Sequence, residues 1–581
     1  MNTAEYLVKK LEELGIIEFF GVPGDYNFNI IRAIDNNSST KWIGCTNELN
    51  AAYAADGYAR QRGYGAVVTT FGVGELSAIN GIAGSYAENV PVIHIVGVPT
   101  TNSIASKKLL HHNLFNLDSF AYVNAYEHVT ETTAFLNRDN SKLEIDRVLK
   151  IFIKYKKPVY IAIPVDIAQM EISSREVDYS WSSDEEVLNR AVKNILEKIN
   201  NSSKPVILAD VLTKRYDSKI ELNEFIAKSG IPATNFLMGI GLIDKEFSNY
   251  LGTYFSKYKN PVAQKFLEST DCLIAVGTVY TELNSFGFDL PYKINSHIAI
   301  YGTYTYVDGV KYDNIKMSDV LENLAENIEH KVFLSEKNNY CYENTPATTN
   351  KLTSEYIYSR IQEFFKDNDI FYSDIGVITQ GVATIDYPSK FDFNLQALWA
   401  SIGWATPAAF GAALACPKNR VILLTGDGAH QVSAMELGNM LRYGLKPIII
   451  VLNNNGYSLE RVLSNDDNDN FNDIVKVNYS KFARVFEGDV WAIKVETEDD
   501  FDKALKVSQI MNKLCYIEVV TSELDIPELT TSLIKNLNIA SKADVKQENT
   551  VVMKIREESV KIKNNNNLSF NTKIHESLRK D

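Results

Sequence analysis

Short apolar runs alternate with amphipathic stretches throughout the last third of this chain. Residues 421–425 are apolar or β-branched, which predicts a buried strand that breaks at a Gly-Asp-Gly turn, 426–428. Residues 431–443 carry apolar side chains on one side and predict a helix, and 448–452 predict a second strand. Because the strands of a parallel β-α-β unit end at the same edge of a sheet, the two strand ends are predicted to lie side by side.

The first hundred residues follow the same plan. A helix with Leu7, Leu11 and Leu14 on one face stops at Gly15. The elements predicted after it are strand 16–20, an alanine-rich helix at 49–60, strand 66–71, a helix that ends at 87 and strand 92–98. In the last third a small-residue helix, 406–415, likewise precedes the strand at 421. Two units of one plan with different residues at their turns predict a ligand held between them.

A chain of 581 residues is long for a single core, and its polar stretches predict where the domains meet. The predicted fold class is α/β, with three doubly wound domains. The expected boundaries are domains at 1–175, 185–335 and 350–540, linkers at 173–186 and 336–350, and a weakly ordered polar tail at 541–581. The central segment has strand-like runs at 205–209 and 272–277 but no Gly-x-Gly-x-x-Gly fingerprint, which disfavours a dinucleotide site there.

Composition narrows the class of protein. Apolar residues make up 45% of the chain and charged residues 23%, as in globular proteins, and the formal net charge is −14. That charge argues against nucleic acid or an anionic membrane as a partner. Five scattered cysteines disfavour a disulfide framework and a zinc site and fit a reducing compartment. Acidic residues near the N-terminus disfavour a signal peptide, and no apolar run approaches the roughly 20 residues of a membrane helix. We therefore expect a cytoplasmic protein.

Oxygen-bearing groups follow both predicted strands of the last third. Asp427 lies in the turn after the first strand, and Asn454 and Gly456 follow the second. A carboxylate, an amide oxygen and a main-chain carbonyl are hard ligands that suit Mg²⁺ carrying a diphosphate. The pair of motifs Gly-Asp-Gly and Asn-Asn-x-Gly, each after an apolar strand, therefore predicts a Mg²⁺ site at this edge of the sheet.

Residues 3 to about 540 resemble the thiamine-diphosphate-dependent 2-oxo-acid decarboxylases of the pyruvate decarboxylase and indolepyruvate decarboxylase type. Besides the metal motif, the stretches that carry the resemblance are FGVPGD (20–25), NELNAAYAADGYAR (47–60), TTFGVGELS (69–77), LLHH (109–112) and ASIG (400–403). The resemblance implies two cofactors, thiamine diphosphate and Mg²⁺. It also implies that the N-terminal domain binds the pyrimidine of the cofactor and the C-terminal domain its diphosphate.

The resemblance assigns a role to individual residues. Glu48 is expected to bond the pyrimidine and help form the reactive carbon, and Ile402 to support the bent cofactor. The set expected to handle protons after CO₂ leaves is Asp25, His111, His112 and Glu460. The implied metal ligands are Asp427, Asn454 and Gly456. The other residues assigned to the cofactor are Thr70, Ser401, Gly403, Gly426, Gly428, Ala429 and Tyr457.

Departures from the family's pattern concern the substrate. Val377 stands where the family usually has threonine or aspartate, and Leu283 stands where yeast-type enzymes have phenylalanine. Leu459 replaces isoleucine beside Glu460, which reshapes one wall. These three residues are expected to line the substrate pocket and to admit longer aliphatic or aryl 2-oxo acids alongside pyruvate.

The function implied is non-oxidative decarboxylation of a 2-oxo acid to an aldehyde and CO₂, through a thiamine-diphosphate ylid and an enamine. Two alternatives stay open: an acyloin-forming carboligase on the same cofactor, and a catalytically silent regulatory homologue. Intact Glu48, Asp427, Asn454 and Glu460 argue against the silent homologue. The resemblance also implies a homodimer or homotetramer in which Glu48 of one subunit faces the metal-binding domain of another.

Overall fold

The computed structural model describes residues 1–173, 177–288, 290–291, 298–332, 346–464 and 470–542. Three sheets, each flanked by helices, give the α/β architecture that the sequence predicts. Their strands lie between residues 18 and 164, 205 and 313, and 370 and 520, inside the three predicted domains, whose boundaries stay predictions. Part of each predicted linker and nearly all of the predicted tail fall outside the described residues. No described helix combines the length and the apolar character needed to cross a membrane.

The N-terminal domain is built on a sheet of six parallel strands. These are β1 (Glu18–Gly21), β2 (Lys41–Gly44), β3 (Gly65–Thr70), β4 (Val92–Val98), β5 (Thr133–Phe135) and β6 (Val159–Pro164). The strand order is β2-β1-β3-β4-β6-β5. Strands β3 and β4 are buried along their whole length, which explains why their sequences are continuously apolar rather than alternating.

Eight helices surround this sheet: α1 (Thr3–Glu13), α2 (Phe28–Asn36), α3 (Glu48–Arg62), α4 (Val73–Ala87), α5 (Thr101–Ala105), α6 (Ala121–Tyr126), α7 (Ser141–Tyr155) and α8 (Val165–Ala168). Helix α3 begins after Asn47, whose side-chain oxygen accepts from the Asn50 amide, and ends at Gly63 in the left-handed conformation. Residues 50–60 of α3 are all buried, so the helix lies inside the protein with contacts on every side.

The described part of the central domain has a mixed sheet of seven strands. These are β7 (Pro205–Ala209), β8 (Ala233–Asn235), β9 (Tyr250–Thr253), β10 (Cys272–Val276), β11 (Ile298–Ile300), β12 (Tyr304–Val307) and β13 (Val310–Asp313). Strands β12 and β13 form an antiparallel hairpin at one edge, and the remaining neighbours are parallel except β11 with β12. Its helices are α9 (Glu185–Asn200), α10 (Leu212–Arg215), α11 (Lys219–Ser229), α12 (Pro261–Ser269) and α13 (Met317–Asn327).

The C-terminal domain repeats the six-stranded parallel plan. Its strands are β14 (Ile370–Ser373), β15 (Asp392–Asn394), β16 (Val421–Gly426), β17 (Ile448–Asn453), β18 (Val490–Val495) and β19 (Leu514–Val520), in the order β15-β14-β16-β17-β19-β18. Its helices are α14 (Ser354–Phe364), α15 (Val377–Val382), α16 (Ala405–Ala415), α17 (Asp427–Ser433), α18 (Glu436–Arg442), α19 (Ser458–Ser464), α20 (Tyr479–Phe482), α21 (Glu498–Ser508) and α22 (Glu528–Lys542). The two related domains thus have the same strand order, as the repeated sequence plan predicts.

One element differs from its prediction. The single helix predicted at 431–443 is two helices, α17 and α18, separated at Ala434 and Met435. At this junction the main chain closes tight turns, because the amides of Leu437 and Gly438 bond the carbonyls three residues earlier. Apolar spacing could not reveal this break, since the spacing of buried residues continues across it.

The first and last domains pack through helices α3 and α16. A β-carbon on Gly57 would lie 2.0 Å from the Ala408 carbonyl oxygen, and one on Gly411 would lie 1.9 Å from the Ala54 carbonyl oxygen. The two backbones therefore touch, and only glycine fits at these crossings. Asp56 of α3 accepts from the Trp404 indole at 2.9 Å, which adds a buried polar contact between the domains.

Candidate active site

Two parallel strands bring the predicted metal ligands together. Strands β16 and β17 are paired along their length, so Asp427, the first residue of α17, lies beside the segment 454–456 that follows β17. The Asp427 side chain is buried, and its two oxygens accept from the main-chain amides of Gly428 at 2.8 Å and Gly456 at 3.2 Å. These bonds fix the carboxylate at the carboxyl edge of the sheet.

The Asn454 side chain completes a cluster of oxygen atoms. One group of its amide lies 2.8 Å from the Gly456 carbonyl oxygen and 3.3 Å from Asp427 Oδ1, and the other lies 2.8 Å from Ser458 Oγ. With nitrogen toward Asp427 the amide donates two hydrogen bonds, and with oxygen toward Asp427 three oxygens converge. Convergence of a carboxylate, an amide oxygen and a carbonyl is what Mg²⁺ requires, so these residues fit the ion.

The electrostatic setting of this edge also suits a cation. Burial raises the pKa of Asp427 to about 6, although main-chain amides oppose the change. Burial likewise raises the pKa of Asp374, at the end of β14, to about 6. Asp427 has no ion-pair partner within the part of the chain that the structure describes. A bound divalent cation would supply the missing positive charge.

The turn 400–403, which contains Ile402, is held by both domains. Ala400 has a φ of 57° and Gly403 a φ of 84°, where a β-carbon on Gly403 would lie 2.7 Å from Val432 Cβ. Ser401 Oγ lies 2.6 Å from the Tyr53 hydroxyl of α3. The Ile402 side chain remains 36% exposed beside this turn.

Glu48 is the first residue of α3 and is half-buried. Its Oε1 would lie 3.1 Å from a β-carbon on Gly74, so glycine makes room for the carboxylate at the start of α4. No hydrogen bond or ion pair to Glu48 occurs among the described residues. Thr70 lies nearby, since a β-carbon on Gly74 would be 3.1 Å from the Thr70 methyl group. The Thr70 Oγ1 atom is buried and has no hydrogen-bond partner among the described residues. A polar ligand could satisfy both groups.

The structure also brings together Asp25, His111 and His112. The distance from His111 Nε2 to Asp25 Oδ2 is 3.1 Å, and the ring centroids of the two histidines are 4.5 Å apart. Tyr26 stacks on His111, and the Tyr122 hydroxyl donates to the His112 carbonyl at 2.7 Å. Burial, followed by the charge of His111, lowers the pKa of His112. The cluster therefore brings together a carboxylate and two imidazoles, which are groups that can donate and accept protons.

The remaining predicted residues lie in the C-terminal domain, except Leu283, which belongs to the central domain. Glu460 is exposed on α19, and no hydrogen bond or ion pair in the described ranges joins it to Asp25 or the histidines. Val377 begins α15 and is buried, and Leu459 is half-buried before Glu460. Leu283 is partly buried and packs against the hydrophobic cluster that includes Phe371 and Ile378 of the C-terminal domain. Gly428 leaves space for the Tyr457 ring, which a β-carbon there would approach to 2.5 Å, and Ala429 is buried next to it.

Glu75 is a candidate functional residue to which the sequence motifs assign no role. Its Oε1 accepts from the Gly72 amide at 2.6 Å and its Oε2 from the Tyr160 hydroxyl at 2.6 Å. A β-carbon on Gly72 would lie 2.5 Å from the His112 carbonyl oxygen, so Glu75 fixes the turn against which His112 packs. Burial raises the pKa of Glu75 to about 7. The spacing Gly72-x-x-Glu75, which is typical of a helix capping box, is the sequence signal that points to Glu75.

Comparison with known proteins gives a consistent pattern along the chain. Residues 1–121, 192–329 and 374–519 match the families described as thiamine pyrophosphate enzyme N-terminal TPP binding domain, central domain and C-terminal TPP binding domain. The chain is 32% identical to pyruvate decarboxylase of Kluyveromyces lactis, over 94% of this chain and 99% of that protein. It is 33% identical to pyruvate decarboxylase of Candida glabrata and 32% identical to pyruvate decarboxylase isozyme 1 of Saccharomyces cerevisiae, over 94% of this chain and 100% of each relative.

Proposed function

The chain belongs to the thiamine pyrophosphate enzymes of the pyruvate decarboxylase family, and on this premise we propose that it removes CO₂ non-oxidatively from a 2-oxo acid and releases an aldehyde. The observation that carries the proposal is the convergence of Asp427, Asn454 and the Gly456 carbonyl at one sheet edge. The carboligase alternative is not favoured, because the relatives are decarboxylases over nearly the full length of the chain.

Two cofactors, thiamine diphosphate and Mg²⁺, follow from the family. Thiamine diphosphate supplies, when bound, a nucleophilic carbon for the substrate carbonyl and an electron sink for the bond to CO₂. Asp427, Asn454 and Gly456 would hold Mg²⁺ and, through it, the diphosphate. The other residues proposed to contact the cofactor are Thr70, Ser401, Ile402, Gly403, Gly426, Gly428, Ala429 and Tyr457.

Glu48 is proposed to hold a proton at the pyrimidine ring. Its carboxylate lies in a space kept open by Gly74 and has no protein partner in the described residues, so it is free to bond a ligand. Its position at the first turn of α3 is fixed by the cap that the Asn47 side chain provides to the Asn50 amide. Both features support Glu48 as the group that starts the reaction.

Asp25, His111 and His112 are proposed to move protons after CO₂ departs. His111 is paired with Asp25, whereas His112 is more buried, and burial lowers the pKa of His112. The cluster thus holds a carboxylate and two imidazoles within contact distance, which suits donation of one proton and acceptance of another. Glu460 is proposed to join this set from another subunit, because no contact among the described residues brings it there within one chain.

We propose a homodimer or homotetramer with the active sites at the subunit interface. Exposed apolar side chains flank the cofactor turns of both domains: Val73, Leu76, Leu109, Leu114, Phe115, Ile402, Val432 and Met435. Exposed apolar side chains grouped around the proposed cofactor-binding turns of both domains support contact with a second copy of the chain. A reducing, cytoplasmic location is also proposed, since the four described cysteines are unpaired.

Substrates longer than pyruvate are proposed because the three residues proposed to line the pocket, Val377, Leu283 and Leu459, are apolar. Apolar surroundings favour loss of the carboxylate as CO₂, since its charge disappears during the step. Each additional buried methylene contributes about 0.8 kcal/mol, so two or three of them change kcat/KM by roughly one to two orders of magnitude at most.

Turnover with a panel of 2-oxo acids tests the proposal. The panel runs from pyruvate to 2-oxohexanoate, phenylpyruvate and indolepyruvate, and products are identified as aldehyde or acyloin. We expect aldehyde as the main product, loss of activity after dialysis against a chelator, and recovery with Mg²⁺ plus thiamine diphosphate. Acyloin as the main product, or full activity in protein free of metal and cofactor, would contradict the proposal. A steep fall in kcat/KM beyond pyruvate would contradict the wider pocket alone.

A further inference from the structure

Glu436, at the start of α18, is a buried acid that binds the segment just before Glu48. Its side chain is fully buried. Oε2 accepts from the Thr46 amide at 3.3 Å, the Thr46 hydroxyl at 2.7 Å and the Asn50 side-chain amide at 3.0 Å, and Oε1 accepts from the Asn439 side-chain amide at 2.7 Å. One carboxylate of the C-terminal domain thus binds donors of the N-terminal domain.

These donors lie on both sides of Glu48 in the chain. The Asn50 side chain donates to Thr46 Oγ1 at 2.9 Å, and the Asn50 main-chain amide donates to the Asn47 side chain at 2.8 Å. The hydrogen bonds close a ring around the first turn of α3. Because the main chain is fixed two residues before and two residues after Glu48, the direction from which its side chain leaves the helix is fixed as well.

The carboxylate is expensive to bury, so its position requires compensation. Glu436 has no basic partner among the described residues; its charge is balanced by four hydrogen-bond donors and by the positive end of the 15-residue helix α3. Most of these donors, and the helix N-terminus, belong to the segment that carries Glu48. The Glu436 side chain and this segment therefore hold each other in a single conformation.

We propose that Glu436 is the positioning residue for Glu48, acting across the domain interface through Thr46 and Asn50. The inference rests on the proposed function, in which Glu48 bonds the cofactor. Glu436 also follows α17 directly, and α17 begins at Asp427. The hydrogen bonds of Glu436 therefore connect the turn before Glu48 to the helix pair α17 and α18, which begins at the proposed metal ligand Asp427.

The test compares Glu436→Ala and Glu436→Gln with the wild-type holoenzyme. Glu436→Ala loses all four hydrogen bonds, so Glu48 should be misplaced relative to the cofactor. We expect proton exchange at C2 of bound thiamine diphosphate, followed by NMR, to slow on the order of 10- to 100-fold. Its affinity for Mg²⁺ plus cofactor should stay within about threefold, because Asp427 is untouched. Glu436→Gln keeps an oxygen for Thr46 and Asn50 and should exchange within about threefold of the wild type.

Amide hydrogen exchange of residues 44–50 in the cofactor-free protein gives a readout independent of the reaction. Glu436→Ala should lose protection there by about tenfold or more. Tyr443→Phe is the matched control: it removes a 3.3 Å bond from the Gly44 amide in the same interface but no contact to Thr46, and it should leave C2 exchange unchanged. Should Glu436→Ala fail to fold, Thr46→Val, which removes only the hydroxyl donor, should show the same two losses in smaller degree.

Unchanged protection of 44–50 together with unchanged C2 exchange in Glu436→Ala, or in Thr46→Val, would overturn the positioning role. Equal slowing by Tyr443→Phe would also overturn it, since the effect would then belong to the interface in general. A wild-type protein that neither exchanges the C2 proton nor decarboxylates any 2-oxo acid would overturn the proposed function instead. In that case the loss of protection at 44–50 still decides whether Glu436 holds this segment.

Discussion

Glu48 has no hydrogen-bond or ion-pair partner among the described residues and a fixed position at the start of α3, so its chemical contribution can be separated from its structural one. Glu48→Gln keeps the shape and the first turn of α3 but removes the carboxylate that is proposed to take up and return a proton. We expect cofactor affinity to stay nearly intact while C2 proton exchange, followed by NMR, slows by roughly 100-fold or more. Exchange at the wild-type rate would remove Glu48 from this role.

Glu75 makes a prediction about pH and stability. Its pKa is about 7 in the fold against an ordinary value of 4.5, so the folded protein holds this proton more tightly than the unfolded chain. The resulting stabilisation is fully present below about pH 4.5 and is lost as the pH rises to 7. Between pH 5.5 and 8 the wild type should lose about 2 kcal/mol more stability than Glu75→Gln. Urea unfolding of both proteins at several pH values measures this difference, and parallel profiles would contradict it.

The residues predicted to bind the metal could be paired from the sequence because their spacing carries the signal. Asp427 and Asn454 each follow an apolar strand, and the structure places both at one sheet edge. Glu436 could not be found in this way. Its function depends on donors in Thr46 and Asn50, nearly 400 residues away in the chain, and local pattern says nothing about which distant segment packs there.

At the scale of elements, the helix pair α3 and α16 makes a prediction about packing. In Gly57→Ala the better helix propensity of alanine contributes about 1 kcal/mol, whereas overpacking against the Ala408 carbonyl, 2.0 Å from the new atom, costs about 3 kcal/mol. We therefore expect a net loss of stability of about 2 kcal/mol in urea unfolding. Gly44→Ala is the control, since its nearest neighbour outside the adjacent residues, Trp42 Nε1, would be 3.7 Å away. Equal stability of Gly57→Ala and wild type would contradict the tight crossing.

Elements with continuous apolar runs were the most predictable. Residues 205–209 and 92–98 were predicted as strands and are β7 and β4 with the same bounds. The predicted helix 431–443 was wrong in its continuity, because hydrogen bonds at Ala434, rather than side-chain spacing, decide where it breaks. The edge hairpin of β12 and β13 was not singled out either, since its half-exposed strands give a weak pattern.

At the scale of the whole molecule, the lack of a contact between Glu460 and the histidine cluster among the described residues leads to a prediction about assembly. Glu48→Gln and Asp427→Ala should each be inactive alone, and mixing them under subunit exchange should restore activity. In a mixed dimer one site has both native residues and the other has neither. Random exchange should therefore recover about a quarter of the wild-type sites. Decarboxylation assays before and after exchange measure the recovery.

Two controls make this experiment decisive. Native mass spectrometry must show mixed assemblies, and a mixture of Glu48→Gln with wild type reports the activity expected from dilution alone. No recovery despite proven exchange would indicate a site built within one chain.

The crossing of α3 and α16 also bears on how such enzymes can be recombined. Gly57 and Gly411 each lie against a main-chain carbonyl of the other domain, and Asp56 bonds Trp404 across the same crossing. A chimera that takes its first domain from one relative and its last domain from another therefore combines two surfaces fitted to each other at backbone distance. Crossover points placed so that both helices come from the same parent should yield folded hybrids more often than points that separate them.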